Sequence, residues 1–282
     1  MILEKKYYSK LIELALAEDL GEAGDITTDA TITEDFHKKA FLYSKEEGIL
    51  CGRQVFEDVF LFLDKDIKIQ WLRSDGDVIN FKEMIAIIEG SIKNILKAER
   101  TALNFLQRMS GIATTVNKLQ SKISQYNVNI LDTRKTIPAF RMLDKYSVFV
   151  GGGINHRIGL FDMILIKENH KNASGGLENA VKNVINKYGK KYKIEVETEN
   201  LDEVEIASKL DIDVIMFDNF TIDMIKSGVN IVRNNNKNIK IEVSGNVTPE
   251  KLEEIAKTGI DYISMGFLTH SVRAFDFSII VE

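Results

Sequence analysis

The sequence predicts an α/β protein whose larger part is an open, incomplete α/β barrel. Two observations carry that reading. From residue 128 onward, short apolar runs at 128–132, 163–167, 192–197, 213–217, 239–243 and 260–265 alternate with helical stretches near 175–189, 201–209, 220–233 and 249–257. Repeated β–α units imply a parallel sheet with right-handed crossovers. None of the helices opens on the glycine pattern of a dinucleotide fold, so a barrel is favoured over a doubly wound sheet.

The segment before residue 92 keeps a different rhythm. An amphipathic helix carrying Leu11, Leu14 and Ala15 leads into the turn-rich "EDLGEAGDITTDATI". Strand-like runs at 39–44, 67–72 and 84–89, with a helix near 53–63, make this part a mixture of α and β. From 92 to 126 the apolar positions Ile92, Ile95, Leu96, Ala102, Leu103, Leu106, Met109, Ile112, Val116, Leu119 and Ile123 hold a helical period. They predict one long connecting helix, interrupted at Gly111.

Composition narrows the function. The 282 residues, 44% hydrophobic and 28% charged, suit a soluble globular protein with ample core. A formal charge of -5 argues against a nucleic-acid surface, so any cationic cluster is local and points to an anionic small molecule. The single cysteine, Cys51, excludes an internal disulfide framework and suits a reducing cytoplasm. No apolar run approaches the roughly 20 residues that span a bilayer, and "MILEKKYYSK" has no signal-peptide pattern.

Two barrel strands carry charge on one face. "YKIEVET" sets Lys193, Glu195 and Glu197 opposite Ile194 and Val196, and "IKIEVSG" sets Lys240, Glu242 and Ser244 opposite Ile241 and Val243. A barrel strand needs its apolar face against the helix ring, so the charges are expected inside, the Lys193/Glu195 strand pairing with the Lys240/Glu242 strand. The competing reading is a half-exposed sheet with these charges in solvent.

The chemistry of such a fold collects at the carboxyl ends of the strands. There the first strand offers Thr133, Arg134 and Lys135, and the loop "GGGINHR" adds His156 and Arg157. The second ends in Lys167, the third at Glu197 and the fourth at Asp218-Asn219. The fifth ends in Ser244-Gly245-Asn246, before Thr248-Pro249 as N-cap and first helical residue, and the sixth in Met265-Gly266, with His270 shortly after. Singly, each has a bland explanation as a cap, a turn or a solvated strand end. Together, cations occupy the first two strand ends, carboxylates the next two, and small phosphate-loop residues the last two. That layout suits a substrate with several negative groups and a reaction centre that becomes positive.

The stretches "EDLGEAGDITT", "AERTALNFLQRMSGIAT", "DTRKTIPAFRMLDKYSVFVGGGINHR", "ILIKENH", "IEVETEN", "IMFDN", "EVSGNVT" and "ISMGFLTH" run through nearly the whole chain in order. With them the sequence resembles the quinolinate phosphoribosyltransferase family. The resemblance implies an N-terminal α/β sandwich domain over 1–111, on which residues 271–282 can pack back, and an open α/β barrel over 112–270. It implies transfer of phosphoribosyl from phosphoribosyl pyrophosphate to quinolinate with Mg²⁺, giving nicotinate mononucleotide, CO₂ and pyrophosphate in NAD biosynthesis. Arg134, His156, Arg157 and Lys167 would bind the quinolinate carboxylates. Lys135, with Thr133 beside it, would meet the phosphoribosyl pyrophosphate. Glu197 and Asp218 would serve the ribose hydroxyls and the metal, directly or through water; with Lys135 they are the expected catalytic residues. Ser244, Gly245, Asn246, Met265, Gly266 and His270 would line the phosphate site. Arg100 would enter from the partner subunit of a homodimer, or of a hexamer of dimers.

Some positions depart from the family's pattern: Ile137 and Ala139 stand where threonine and glycine are more typical, and Phe267 where a small residue is common. Rival readings are a related transferase using nicotinate, or the molybdenum-transport-associated homologue, a Schiff-base aldolase built on Lys135 or Lys167, and a non-catalytic phosphate-sugar sensor. Retention of Arg100, Arg134, His156, Arg157 and Lys167 together disfavours a monocarboxylate substrate. Glu197 and Asp218 beside the cations disfavour the sensor.

Overall fold

The computed structural model describes all 282 residues. In chain order the elements are α1 (Ser9–Leu20), α2 (Ile26–Thr31), β1 (His37–Ser44), β2 (Gly48–Ile49), α3 (Arg53–Leu63), β3 (Lys68–Trp71), β4 (Val78–Ile79), β5 (Met84–Ser91), α4 (Ile92–Lys122), β6 (Asn129–Leu131) and α5 (Arg141–Val150). There follow β7 (Ile164–Ile166), α6 (Glu168–Ala173), α7 (Leu177–Tyr188), β8 (Ile194–Thr198), α8 (Leu201–Ala207), β9 (Val214–Asp218), α9 (Ile222–Asn235), β10 (Lys240–Ser244), α10 (Leu252–Ala256), β11 (Tyr262–Ser264), α11 (Phe267–His270) and β12 (Phe277–Val281). They form two compact units. One comprises Met1–Asn117, Thr136–Gly152 and Phe267–Glu282; the other comprises Lys118–Lys135 and Gly153–Gly266. No helix is long and apolar enough to cross a membrane.

The first unit is built on an antiparallel sheet in the order β12-β1-β5-β3. Along β1 the residues Ala40, Leu42 and Ser44 are buried in alternation, as a strand with one core-facing side requires. Ala40 and Leu42 share a core with Ile12 and Leu16 of α1, Phe56 and Phe60 of α3, and Leu103 and Leu106 of α4. The last strand, β12, joins β1 antiparallel, from Ser44↔Phe277 to Ala40↔Val281.

Gly111 does not break α4, which is continuous from Ile92 to Lys122. A Cβ there would lie 2.2 Å from the Arg273 carbonyl oxygen, so the glycine serves a close backbone approach within this unit rather than a break. Helix α5 also belongs to this unit and was not read from the sequence; Leu143 and Val148 are buried on it. Ala139 adopts φ of +64°, the left-handed region that suits glycine and costs other residues ~1 kcal/mol.

The second unit holds a six-stranded parallel sheet in the order β6-β11-β10-β9-β8-β7. This is chain order taken around a cylinder. The first strand lies beside the last, and the sequence of neighbours is interrupted only between β6 and β7. A doubly wound sheet reverses direction partway; this one does not. It is the open barrel expected.

Register fixes the faces. Ile164, Ile166, Ile194, Val196, Ile215, Phe217, Ile241, Val243 and Ile263 share one face of paired strands, the apolar side that the helices cover. Gly228 of α9 shows how closely: a Cβ there would stand 2.8 Å from the Phe217 ring. The opposite face carries Leu165, Glu195, Glu197, Met216, Asp218, Glu242, Ser244 and Ser264. Glu195, Glu197 and Glu242 are buried, which rules out a half-exposed sheet.

Two further expectations need correcting. Lys193 lies outside β8 and is exposed, and Lys240, at the exposed start of β10, pairs with Asp261 at 2.7 Å; neither lysine meets a glutamate inside. Each stands at the amino end of its strand, where the ammonium reaches water and desolvation is avoided. The glutamates further in meet each other and His156 instead. Second, the helix after β10 starts at Leu252, because Thr248–Lys251 form a turn closed by Lys251 N–H on the Thr248 carbonyl, 3.1 Å. The short helix α6, not read from the sequence, directly follows β7, with the His170 ring accepting the Lys167 N–H at 3.0 Å.

Candidate active site

A cleft of about 550 Å³ opens in the second unit, lined by strand ends and the loops that follow them. On the β6 side, Thr133 Oγ1 accepts the Lys135 N–H (3.0 Å) and tightens the turn from which Arg134 and Lys135 project, both exposed. Asp132, just before them, is fully buried. Its carboxylate accepts Asn155 Nδ2–H (2.6 Å) and the His156 N–H (3.0 Å). The strand end thereby anchors the loop that presents His156 and Arg157.

Arg157 is nearly buried and its Nη1–H donates to the Met163 carbonyl (3.3 Å). Burial and the charge of Arg134 lower its proton affinity, while Glu195 and Asp162 raise it. Two guanidinium groups that repel each other in a cleft are an anion site in waiting.

Across the cleft the sign reverses. Glu197 on β8 takes Lys167 Nζ at 2.7 Å, and Asp218 ends β9. Burial and the neighbouring Glu197 push the Asp218 carboxyl above its ordinary value; Lys167 opposes them. Two hard oxygen donors side by side suit a cation or a sugar that gains positive charge.

The third wall is backbone and amide. Gly245 has φ of +83°, and a Cβ there would lie 2.3 Å from Asn219 Oδ1 and 2.9 Å from the Asn219 nitrogen, so no side chain fits. Asn246 Nδ2–H donates to Asn219 Oδ1 (3.0 Å), and Asn219 Nδ2–H to Asp218 Oδ2 (2.8 Å). Asn219 and Asn246 both hold positive φ, which asparagine tolerates better than most. This amide chain links the phosphate-loop residues to the carboxylate.

Beneath lie Glu195 and Glu242, each held far above the ordinary carboxylate range, to about 8, chiefly by burial. Ser264 Oγ–H donates to Glu242 at 2.5 Å.

Of the residues singled out in the sequence, Thr133, Arg134, Lys135, His156, Arg157, Lys167, Glu197, Asp218, Ser244, Gly245 and Asn246 all line this one cleft. Met265 does not; it is buried and its N–H bonds the Leu131 carbonyl (3.1 Å). Gly266 closes the second unit and is not in the lining either. Arg100, on α4, and His270, at the end of α11, belong to the first unit. Leu165, Met216, Glu242 and Ser264 also line the cleft and were not named as site residues. The period-two alternation that placed Glu197 and Ser244 inside reaches them as well.

Comparison with known proteins agrees with this fold. Residues 25–110 match the model of the quinolinate phosphoribosyl transferase N-terminal domain, and residues 112–280 that of its C-terminal domain. The chain is 41% identical over 290 residues to a protein of Arabidopsis thaliana named nicotinate-nucleotide pyrophosphorylase (carboxylating), chloroplastic, covering 96% of this chain and 82% of that one. A Bacillus subtilis protein named probable nicotinate-nucleotide pyrophosphorylase (carboxylating) is 39% identical, covering 95% and 91%. The solved nicotinate-nucleotide pyrophosphorylase of Francisella tularensis superposes with a TM-score of 0.94 at 43% identity, covering 100% of this chain and 98% of that one. The chain belongs to the quinolinate phosphoribosyltransferase family.

Proposed function

We propose that the protein transfers the phosphoribosyl group of phosphoribosyl pyrophosphate to quinolinate, with loss of CO₂, to give nicotinate mononucleotide and pyrophosphate for NAD biosynthesis. One observation supports this reading above the rest: a single cleft sets two arginines and two lysines against Glu197 and Asp218. Arg134, Arg157 and Lys167, with His156 beside them, hold the two adjacent carboxylates of quinolinate, and fixed cations both bind and orient them. Lys135 faces the diphosphate, and the Ser244-Gly245-Asn246 turn receives the 5′-phosphate on its backbone N–H groups.

As the bond from the anomeric carbon to pyrophosphate breaks, positive charge develops on the ribose, and Glu197 and Asp218 stabilise it. The pyridine nitrogen takes that carbon, and the ring nitrogen becomes cationic. The carboxylate next to it then leaves as CO₂; its bonding pair stays on the ring carbon, beside the positive nitrogen, and a proton replaces it. No strong general acid is required of the protein.

The carboxylate oxygens of Glu197 and Asp218 fit Mg²⁺, a hard cation that binds through one or two carboxylates and keeps waters and substrate phosphate oxygens. Bound there, it supplies charge neutralisation for the leaving pyrophosphate.

We further infer a homodimer, alone or within a hexamer, in which Arg100 of one subunit completes the cleft of the other. The single cysteine, buried and free, fits a cytoplasmic protein.

The test is direct. Purified protein, quinolinate, phosphoribosyl pyrophosphate and Mg²⁺ are expected to yield CO₂ and nicotinate mononucleotide in equal amounts. Tight binding of both substrates without turnover would instead support a sensor. A borohydride-trapped adduct on Lys135 or Lys167 would support the aldolase.

A further inference from the structure

His156, Glu195 and Glu242 bring three ligating atoms within 4.8 Å of one another below the cleft, an arrangement that invites a metal reading. The ring's other nitrogen argues against it. His156 Nδ1 accepts the Arg157 N–H at 2.7 Å, so Nδ1 carries a lone pair and the ring proton sits on Nε2. A metal on Nε2 would need the proton on Nδ1, pointed at another N–H. Nε2 lies 2.9 Å from Glu195 Oε2 and 3.6 Å from Glu242 Oε2. No donor is well aligned on either oxygen of the fully buried Glu195. The Nε2–H, 2.9 Å from Oε2, is a donor within reach, and the adjacent Glu242 carboxyl is the other. Ser264 engages Glu242 from its other side and holds it in place.

We propose that Glu195 is a positioning residue for quinolinate binding: from inside the barrel it holds His156 in the Nε2–H tautomer. The lone pair this leaves on Nδ1 captures the Arg157 backbone N–H and so sets where the guanidinium enters the cleft. Both ring nitrogens are then engaged by the protein, which fixes the His156 ring against the cleft that it lines. The kinetic part of this inference rests on the proposed function; the tautomer does not.

The experiment uses ¹⁵N-histidine-labelled protein, in which only four rings contribute, with His156 assigned by its loss in His156→Gln. In the unliganded wild type, His156 is expected to show a protonated Nε2 and a lone-pair Nδ1. Glu195→Leu should give a mixture of tautomers and raise the KM for quinolinate roughly tenfold or more, with a smaller change in kcat. Glu195→Gln, whose carbonyl oxygen still accepts from Nε2–H, should restore the single tautomer and most of the lost affinity. A protonated Nδ1 in the wild type, or metal co-purifying with the wild type and lost in Glu195→Leu, would overturn the proposal. So would Glu195→Leu with the wild-type tautomer and KM. If the protein has no transferase activity, the tautomer measurement still decides the structural half.

Discussion

The two ends of the barrel sheet use the same kinds of side chain in opposite ways. At the amino end, charges are satisfied by the protein itself. Asp261 takes Lys240 Nζ and Arg233 Nη2, each at 2.7 Å, and accepts the Ile241 N–H at 2.9 Å. Asp213 accepts the Ile194 N–H at 2.7 Å. At the carboxyl end, like charges gather: Arg134 beside Arg157, and Glu197 beside Asp218, two carboxylates that Lys167 only partly offsets. The pKa shifts follow this division. Burial works against Asp261, but its donors outweigh it and hold the carboxyl below its ordinary value. Asp218 is pushed up. Charges that complete one another hold the fold together, whereas charges left in like company await a ligand of opposite sign.

This contrast is open to attack by mutation. The largest effect is expected at the carboxyl end. Glu197→Ala or Asp218→Ala should lower kcat roughly a hundredfold or more while KM moves less, because these groups act mainly on the transition state. Unchanged kcat in both would remove their assigned role. Next, Arg157→Ala should raise the quinolinate KM roughly tenfold or more with a smaller fall in kcat, read from initial rates. Mixing Arg100→Ala protein with Lys135→Ala protein should recover activity that neither has alone, since one mixed site would be intact; no recovery would refute the shared Arg100.

At the amino end the effects should fall on stability. Asp261→Ala is expected to cost about 2 kcal/mol in denaturant unfolding, by stranding the Ile241 N–H and two cations, with kcat retained. The pH dependence follows in sign. The folded-state pKa of Asp261 lies below its ordinary 3.8, so its contribution is present above that value and lost as the pH falls through the folded one. Asp261→Asn should flatten the acid limb of the stability curve. The smallest change, about 0.5 kcal/mol, is expected for Lys240→Met, whose ammonium is half exposed.

Much of this was legible in the sequence, because alternation is a strong signal in buried parallel strands. Glu197, Asp218 and Ser244 could be placed on the inner face from their neighbours Val196, Phe217 and Val243 alone. Lys193 and Lys240 could not: period two assigns a face, but not a level along the strand, and at the outermost level a lysine escapes to water. Gly111 misled because a helix tolerates glycine where another segment must come close, a tertiary fact with no local trace. Helix α5 escaped because residues 136–152 belong to the first unit although they interrupt the second in sequence. The His156 tautomer lay beyond reach, since it depends on which atoms face each ring nitrogen.

The most direct test compares Asp218→Asn with Asp261→Asn, two aspartates at opposite ends of one sheet, measuring kcat and the unfolding midpoint of each. Asp218→Asn should lose most of its turnover and unfold at or above the wild-type temperature, whereas Asp261→Asn should keep its turnover and unfold lower. If both variants lost activity and stability together, the division between a self-satisfied end and a ligand-seeking end would be contradicted.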